Sequence, residues 1–335
     1  MTANRDLQGS PSIVAIGGGT GLSTMLRGLK HRTKKLTAIV TVADDGGGSG
    51  MLRQDLGMLP PGDIRNCMQA LANVEPVMEQ LLAYRFPDGS GSLAGQSFGN
   101  LLLAALNGIS PSFDQAVARM SEVLAISGRV LPVTNADILL EALFENGTRV
   151  VGESKIFEFK KRQGCAISQV RLLPDKPPPL PATLEAIGAA DIILLGPGSL
   201  YTSIIPNLLV SGVADAICRA RALKVYISNI MTQDGETEGM SLSEHIRAVL
   251  HHSGAGLLDV CLSNSACVPP SLQERYRQED AVPLAVDKAA VEALGVELVA
   301  RPLTSEDTDV ARHSSEKLAD AILELYRERA ETKVF

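Results

Sequence analysis

The chain has 335 residues, 45% of them apolar, and a formal net charge of −7. That much apolar sequence supports one large α/β core and excludes disorder as the default state, while the negative total implies no basic surface of the kind that dominates nucleic-acid binding. Aromatics at 4% with no Trp disfavour a single-strand binder built on stacking platforms. In chain order, the apolar run Ser12 to Ile16 predicts a strand entering Gly17-Gly18-Gly19-Thr20-Gly21, after which Leu22, Met25, Leu26 and Leu29 recur at helical spacing. The β-branched run Thr37 to Val42 ends in Ala43-Asp44-Asp45 and a second glycine cluster, which completes a right-handed βαβ unit. Asp63 is placed to cap a helix through Ala72, Ser97 to Leu106 is a further apolar periodic stretch, and Ser112 with Gln115 forms a capping box for a helix to Ile126. Between Ile138 and Phe159, Asn146-Gly147 signals a hairpin that interrupts the α/β rhythm. The stretch PDKPPPLP, Pro174 to Pro181, is a stiff connector. Beyond it, Asp191 to Leu195, Lys224 to Ser228, Leu257 to Leu262 and Val296 to Val299 read as strands. Ser241 with Glu244 caps a helix ending near Gly254, and Leu318, Ile322 and Leu325 mark the core face of a C-terminal helix. The expected fold is α/β: a Rossmann-like, mainly parallel sheet flanked by helices, one domain over residues 10–332 with a hairpin insertion at about 137–173.

Three glycine loops follow predicted strands, and each has a chemistry. In IGGGTGLS, closely spaced glycines let backbone amides approach an anion at a helix N-terminus, so Gly17, Gly18, Gly19, Thr20 and Gly21 are candidate phosphate contacts. The loop does not complete GxGxxG, because Leu22 holds the last position, and no Walker lysine follows. A tight turn without a ligand is the alternative. The second loop carries Asp44 and Asp45 at a strand end, where an acidic side chain meets a ribose hydroxyl or, with Asp63, forms a set of hard oxygens for Mg²⁺. A solvated turn is the alternative there. In the third loop, Gly196 and Gly198 bring backbone amides together with Ser199, Thr202 and Ser203 for phosphate capture, against an ordinary helix cap. Asn100 in GQSFGN and Asn229 in SNIMTQDGET are suited to hydrogen-bonding a base or sugar.

Other signals are negative. The five cysteines, Cys67, Cys165, Cys218, Cys261 and Cys267, contain no CxxC pair, and His31, His245, His251, His252 and His313 are scattered without an HExxH. No GxSxG elbow is present. The opening MTANRDLQGSPS lacks an apolar signal core, and no apolar run approaches the ~18 residues of a membrane span, so a cytoplasmic protein without membrane insertion is expected.

The strings IGGGTGLSTMLRGLK, TAIVTVADDGGGSGMLR, LPPGDIRNCMQAL, GQSFGN, LLGPGSLYTSIIPNLLV, SNIMTQDGETEG and ARHSSEKLA together resemble the gluconeogenesis factor (YvcK-like) family of the CofD-like superfamily. The resemblance runs from about Ile13 to the last helix. It implies a CofD-like domain, usually a homodimer, that binds UDP-sugars such as UDP-N-acetylglucosamine and supports cell shape and cell-wall synthesis during gluconeogenic growth. It also implies that Tyr276 in QERYRQE and Arg312 in ARHSS belong to the nucleotide-sugar site. Two departures lie in candidate loops: Gly48 stands where the family commonly has a serine, and Gln96-Ser97-Phe98 where His-Ser-Leu is usual. The related 2-phospho-L-lactate transferases use Mg²⁺, and Asp44, Asp45 and Asp63 resemble their acidic motif.

Two functions from different classes follow. The first is a regulatory, non-enzymatic UDP-sugar sensor that contacts cell-wall synthesis proteins. The second is a Mg²⁺-dependent transferase of the CofD type. An NAD-dependent dehydrogenase is disfavoured by the incomplete GxGxxG and the lack of a convincing base.

Overall fold

All five residues of the strand Ile13–Gly17 (β1) are buried, the pattern of a strand covered on both faces of a parallel sheet. The computed structural model describes residues 10–304 and 310–332, and the polar opening segment lies outside them. After β1 come Leu36–Val40 (β2), Arg129–Pro132 (β3), Leu139–Phe144 (β4), Arg149–Val151 (β5) and Ile167–Leu173 (β6). Ile192–Leu195 (β7), Leu223–Ile227 (β8), Val260–Asn264 (β9) and Glu297–Arg301 (β10) complete the strands. Seven of them form one sheet in the order β10-β9-β8-β7-β1-β2-β3, with every neighbouring pair parallel. The order reverses between β1 and β7, and in open α/β sheets the crevice at such a reversal, outside the carboxyl ends of the strands, is where ligands bind.

Helices cover both faces. Gly19–Leu29 (α1), Gly47–Leu56 (α2), Gly62–Leu71 (α3), Pro76–Ala83 (α4), Phe98–Gly108 (α5) and Phe113–Val123 (α6) lie between β1 and β3 in the chain. Glu153–Gln163 (α7) joins β5 to β6, and Pro181–Gly188 (α8), Ile205–Leu208 (α9), Val213–Arg219 (α10) and Leu242–Ser253 (α11) follow. Pro270–Arg277 (α12), Lys288–Ala293 (α13) and Ser315–Thr332 (α14) end the described chain. Along α1, Leu22, Met25, Leu26 and Leu29 are fully buried, and the helix packs on α3 and α14. Each such side chain contributes ~1.5–3 kcal/mol of burial.

The hairpin signal at Asn146-Gly147 resolves into a second, antiparallel sheet of three strands, β5-β4-β6. Gly147 has φ +82°, and Asn146 Oδ1 accepts from the Thr148 N–H at 3.0 Å, an Asx turn that a two-residue hairpin favours. Its inner face is Leu140, Ala142 and Phe144, all buried. Its other face holds Glu141 between Arg149 and Arg171, at 2.8 and 2.5 Å.

Several local expectations are corrected. Asp63 does not cap its helix: Pro61 is the N-cap of α3, and Asp63 stands inside the first turn with its side chain turned into the protein. Ser112 is the N-cap of α6 without a side-chain cap bond, since its Oγ donates to Asp114 Oδ1 at 2.5 Å. By contrast, the Ser241–Glu244 capping box of α11 forms in full. Among the described residues no single helix is long and apolar enough to cross a membrane; the pair Leu200–Leu208 and Val213–Arg219 reaches that composition only across a 75° bend, and its Leu200, Ile204, Ile205 and Ile217 belong to the core.

Candidate functional site

The loop after β1 and the loop after β7 meet at the sheet's reversal. Gly19 has φ +69° and open space around its Cα, while a Cβ on Gly21 would lie 2.6 Å from the Pro197 carbonyl oxygen. Glycine at these positions therefore permits both the turn and the close approach of the two loops. Across the gap, Asn229 brackets Gly198, accepting from its N–H at 3.2 Å and donating to its carbonyl at 3.0 Å. Ser199 Oγ donates to Gln233 Oε1 at 2.8 Å.

A cavity of about 450 Å³ opens here. Gly18, Gly19, Thr20 and Gly21 line one side, and Gly198, Ser199, Ser203 and Asn229 the other. Tyr276 from α12 and Arg312 from the segment before α14 close the third side; the Tyr276 hydroxyl accepts from the Ala311 N–H at 3.2 Å and so ties the two segments together. Beneath them Ile230, Met231 and Val268 form a small apolar cluster with Leu272, Tyr276 and Ala311 packed against it. A slightly larger cavity, about 510 Å³, sits at the amino ends of β7 and β8, away from the carboxyl-end crevice in which open α/β sheets bind ligands.

Behind Gly18 is a buried carboxylate. A Cβ on Gly18 would overlap the Asp63 carboxylate, which accepts a hydrogen bond from the Gly19 backbone at the start of α1. Burial first, and then the like charge of Asp44, push Asp63 up to about 6, against the pull of the Gly19 N–H and Arg65. Asp44 is itself raised, mainly by burial, while its Oδ1 accepts from the Gly46 N–H at 2.8 Å. Glu153, at the start of α7, is held well above the usual carboxylate range by burial and by the charges of Asp44 and Asp63.

The other expected residues are placed differently. Asp45 turns away from Asp44 and Asp63: its Oδ1 accepts from the Ser154 N–H at 2.9 Å and the Ser154 hydroxyl at 2.7 Å, at the start of α7. The three-aspartate set does not assemble, and among the described residues no three His, Cys, Asp or Glu side chains are grouped to hold a metal. Asn100 does not line the cavity; its Oδ1 accepts from Arg65 Nε at 3.2 Å. Gly17 and Gly196 are strand-end positions that do not line the cavity; the Gly17 carbonyl accepts from Asn207 Nδ2 at 3.1 Å.

Phosphate capture by the amides after Ser199 is also corrected. The carboxylate of Glu236 accepts the N–H groups of Leu200, Tyr201 and Thr202 at 3.1, 2.8 and 3.0 Å, so an internal anion occupies that helical start. Burial pushes Glu236 up to about 7 even against these three bonds. Sequence reasoning missed Glu236, Gln233 and the cavity-lining His313. The first two lie in SNIMTQDGETEG, where only Asn229 stood out as a ligand contact.

The two departures from the family pattern meet in space. Gln96 Nε2 donates to the Gly48 carbonyl at 3.3 Å, and a Cβ on Gly48 would stand 2.9 Å from Gln96 Oε1. A serine at 48 therefore requires Gln96 to move.

The sheet reversal, the paired glycine loops and the antiparallel arm define a class. The family described as 2-phospho-L-lactate transferase CofD matches residues 13–304. The chain is 46% identical over 318 residues to the gluconeogenesis factor of Bacillus subtilis, covering 95% of this chain and 99% of that protein. It is 47% identical over 313 residues to the gluconeogenesis factor of Halalkalibacterium halodurans, covering 93% and 96%. A crystallised protein from Bacillus halodurans superposes with a TM-score of 0.89 at 47% identity, covering 94% of this chain and 99% of that one. The chain belongs to the gluconeogenesis factors of the CofD family.

Proposed function

We propose that this protein is a UDP-sugar-binding regulator, acting in the cytoplasm, that links the supply of UDP-N-acetylglucosamine to cell shape and cell-wall synthesis during gluconeogenic growth. The observation that carries this reading is the cavity, in which the amino end of α1, Tyr276 and Arg312 face one another. A helix amino end and a guanidinium both favour a diphosphate, Tyr276 offers a ring face to a base or sugar, and ~300–1,000 Å³ is the usual size of such sites. In the thermal-shift test, UDP-N-acetylglucosamine raises the melting temperature more than NAD does at equal concentration. A larger shift with NAD overturns the reading.

We further propose that the regulator works as a homodimer and transmits its state to cell-wall synthesis proteins. Exposed apolar side chains on and near α4, namely Val77, Leu81, Tyr84 and Leu93, support an interface there. A monomer in sedimentation at micromolar concentration excludes it.

One observation favours a second reading, a CofD-type transferase. Asp44 and Asp63 stand together behind the glycine loop, and Mg²⁺ is commonly held by one or two carboxylates together with ligand phosphates. Asp44 and Asp63 would hold the ion and neutralise phosphate charge through it. Calorimetric binding that is identical with and without EDTA removes this reading.

A further inference from the structure

The cavity of about 510 Å³ at the amino ends of β7 and β8 falls within the ~300–1,000 Å³ usual for small-molecule sites, and several of its donors are unmatched. The Lys224 side chain is only 11% exposed, and its Nζ stands 3.9 Å from Asp259 Oδ2, beyond hydrogen-bond reach. That oxygen already accepts the Lys224 N–H at 2.9 Å. The ammonium itself is not sealed from solvent, so the covered stem delivers it to the cavity that Lys224 lines. Arg221 and the Tyr326 hydroxyl belong to the same lining, and neither has a hydrogen-bond or ion-pair partner among the described residues. Arg329 is held by Glu297. An ammonium this far covered and without a hydrogen bond weakens the fold, and an anion beside it offsets that cost. Two carboxylates share the lining, Asp191 and Asp259. Asp191 Oδ2 accepts from the Ser12 N–H at 2.8 Å, so each carboxylate spends one oxygen on a backbone amide and keeps the other for a hydroxyl donor.

We propose that this cavity is a second ligand site, built for the phosphate monoester of a small sugar or polyol. Lys224, Arg221 and the Tyr326 hydroxyl donate to the phosphate oxygens, the first two with full charge assistance. Asp191 and Asp259 accept from hydroxyls of the ligand, and its carbon body rests on the buried methyl groups of Ala220 and Ala222. The carboxylates also set selectivity, because they repel a bare anion and favour one that brings its own hydroxyl donors. The site lies at the opposite end of the strands from the glycine loops and does not rest on the nucleotide-sugar reading.

The test is titration calorimetry on the full chain with glucose 6-phosphate and glycerol 3-phosphate as probes, and inorganic phosphate and glucose as controls. At least one monoester binds, and more tightly than either control. Lys224→Met keeps the stem and removes the charge, so the unliganded melting temperature stays level or rises while affinity falls by at least about tenfold. Arg221→Ala, at an exposed position, lowers affinity by a similar factor with no change in melting temperature, and it decides the matter if the Met variant fails to fold. Arg312→Ala, in the other cavity, binds the monoester as the unmodified protein does. Silence of both monoesters overturns the proposal, as does unchanged affinity in Arg221→Ala. Equal binding of inorganic phosphate overturns it as an adventitious ion only, and loss of binding in Arg312→Ala overturns it by moving the monoester to the carboxyl-end cavity.

Discussion

Asp63 accepts the Gly19 N–H from inside the protein, with Asp44 as a like-charged neighbour. Its folded value is raised from 3.8 to about 6, so the folded state holds the proton more tightly than the unfolded chain. The stability this contributes is fully present below about pH 3.8 and is lost as pH rises through about 6. Asp63→Asn keeps an acceptor for Gly19 and removes the charge. It is expected to gain on the order of 1–3 kcal/mol at about pH 7 and to flatten the slope between about pH 4 and 6. Urea unfolding across that range checks it, with a residual slope from Glu236, whose value moves from 4.5 to about 7. An unaltered pH profile removes Asp63 as its source. None of this was legible in PPGDIRN: the spacing suggested a cap, and the burial that sets the chemistry comes from α1 and the loop after β1.

At the scale of elements, the turn after Ser199 depends on a side chain far along the chain. Glu236 receives three backbone N–H groups at the start of the helical segment Leu200–Ile204. Removing it by Glu236→Ala leaves those donors buried and unpaired, so a loss of roughly 3–5 kcal/mol in denaturant unfolding is expected. Glu236→Gln retains an amide oxygen and is expected to lose about half as much. A loss under ~1 kcal/mol in the Ala variant would show that the turn holds itself. Local signals were legible because their partners are local: Asn146 bonds Thr148 within the hairpin, and Ser241 and Glu244 complete one box. Ser112 failed for the same local reason, since Asp114, two residues on, takes its hydroxyl.

At the scale of the whole molecule, the site is assembled from the first strand's loop and from a segment some three hundred positions later, Ala311 to His313. Arg312→Ala is expected to weaken UDP-sugar binding by at least about tenfold, or ~1.4 kcal/mol, with the unliganded melting temperature nearly unchanged. Unaltered affinity by titration calorimetry confines any ligand to the glycine loops. By itself, the sequence determined the parallel α/β class, the hairpin, the first glycine turn and the family, because these depend on periodicity, on glycine's backbone freedom and on long shared strings. Only the tertiary structure decided which polar groups face the cavity. It turned Asp45 to Ser154, set Glu236 where a phosphate was expected and left the Nε2 of His313 buried without a partner among the described residues, since burial and pairing across distant segments depend on packing that no local pattern encodes.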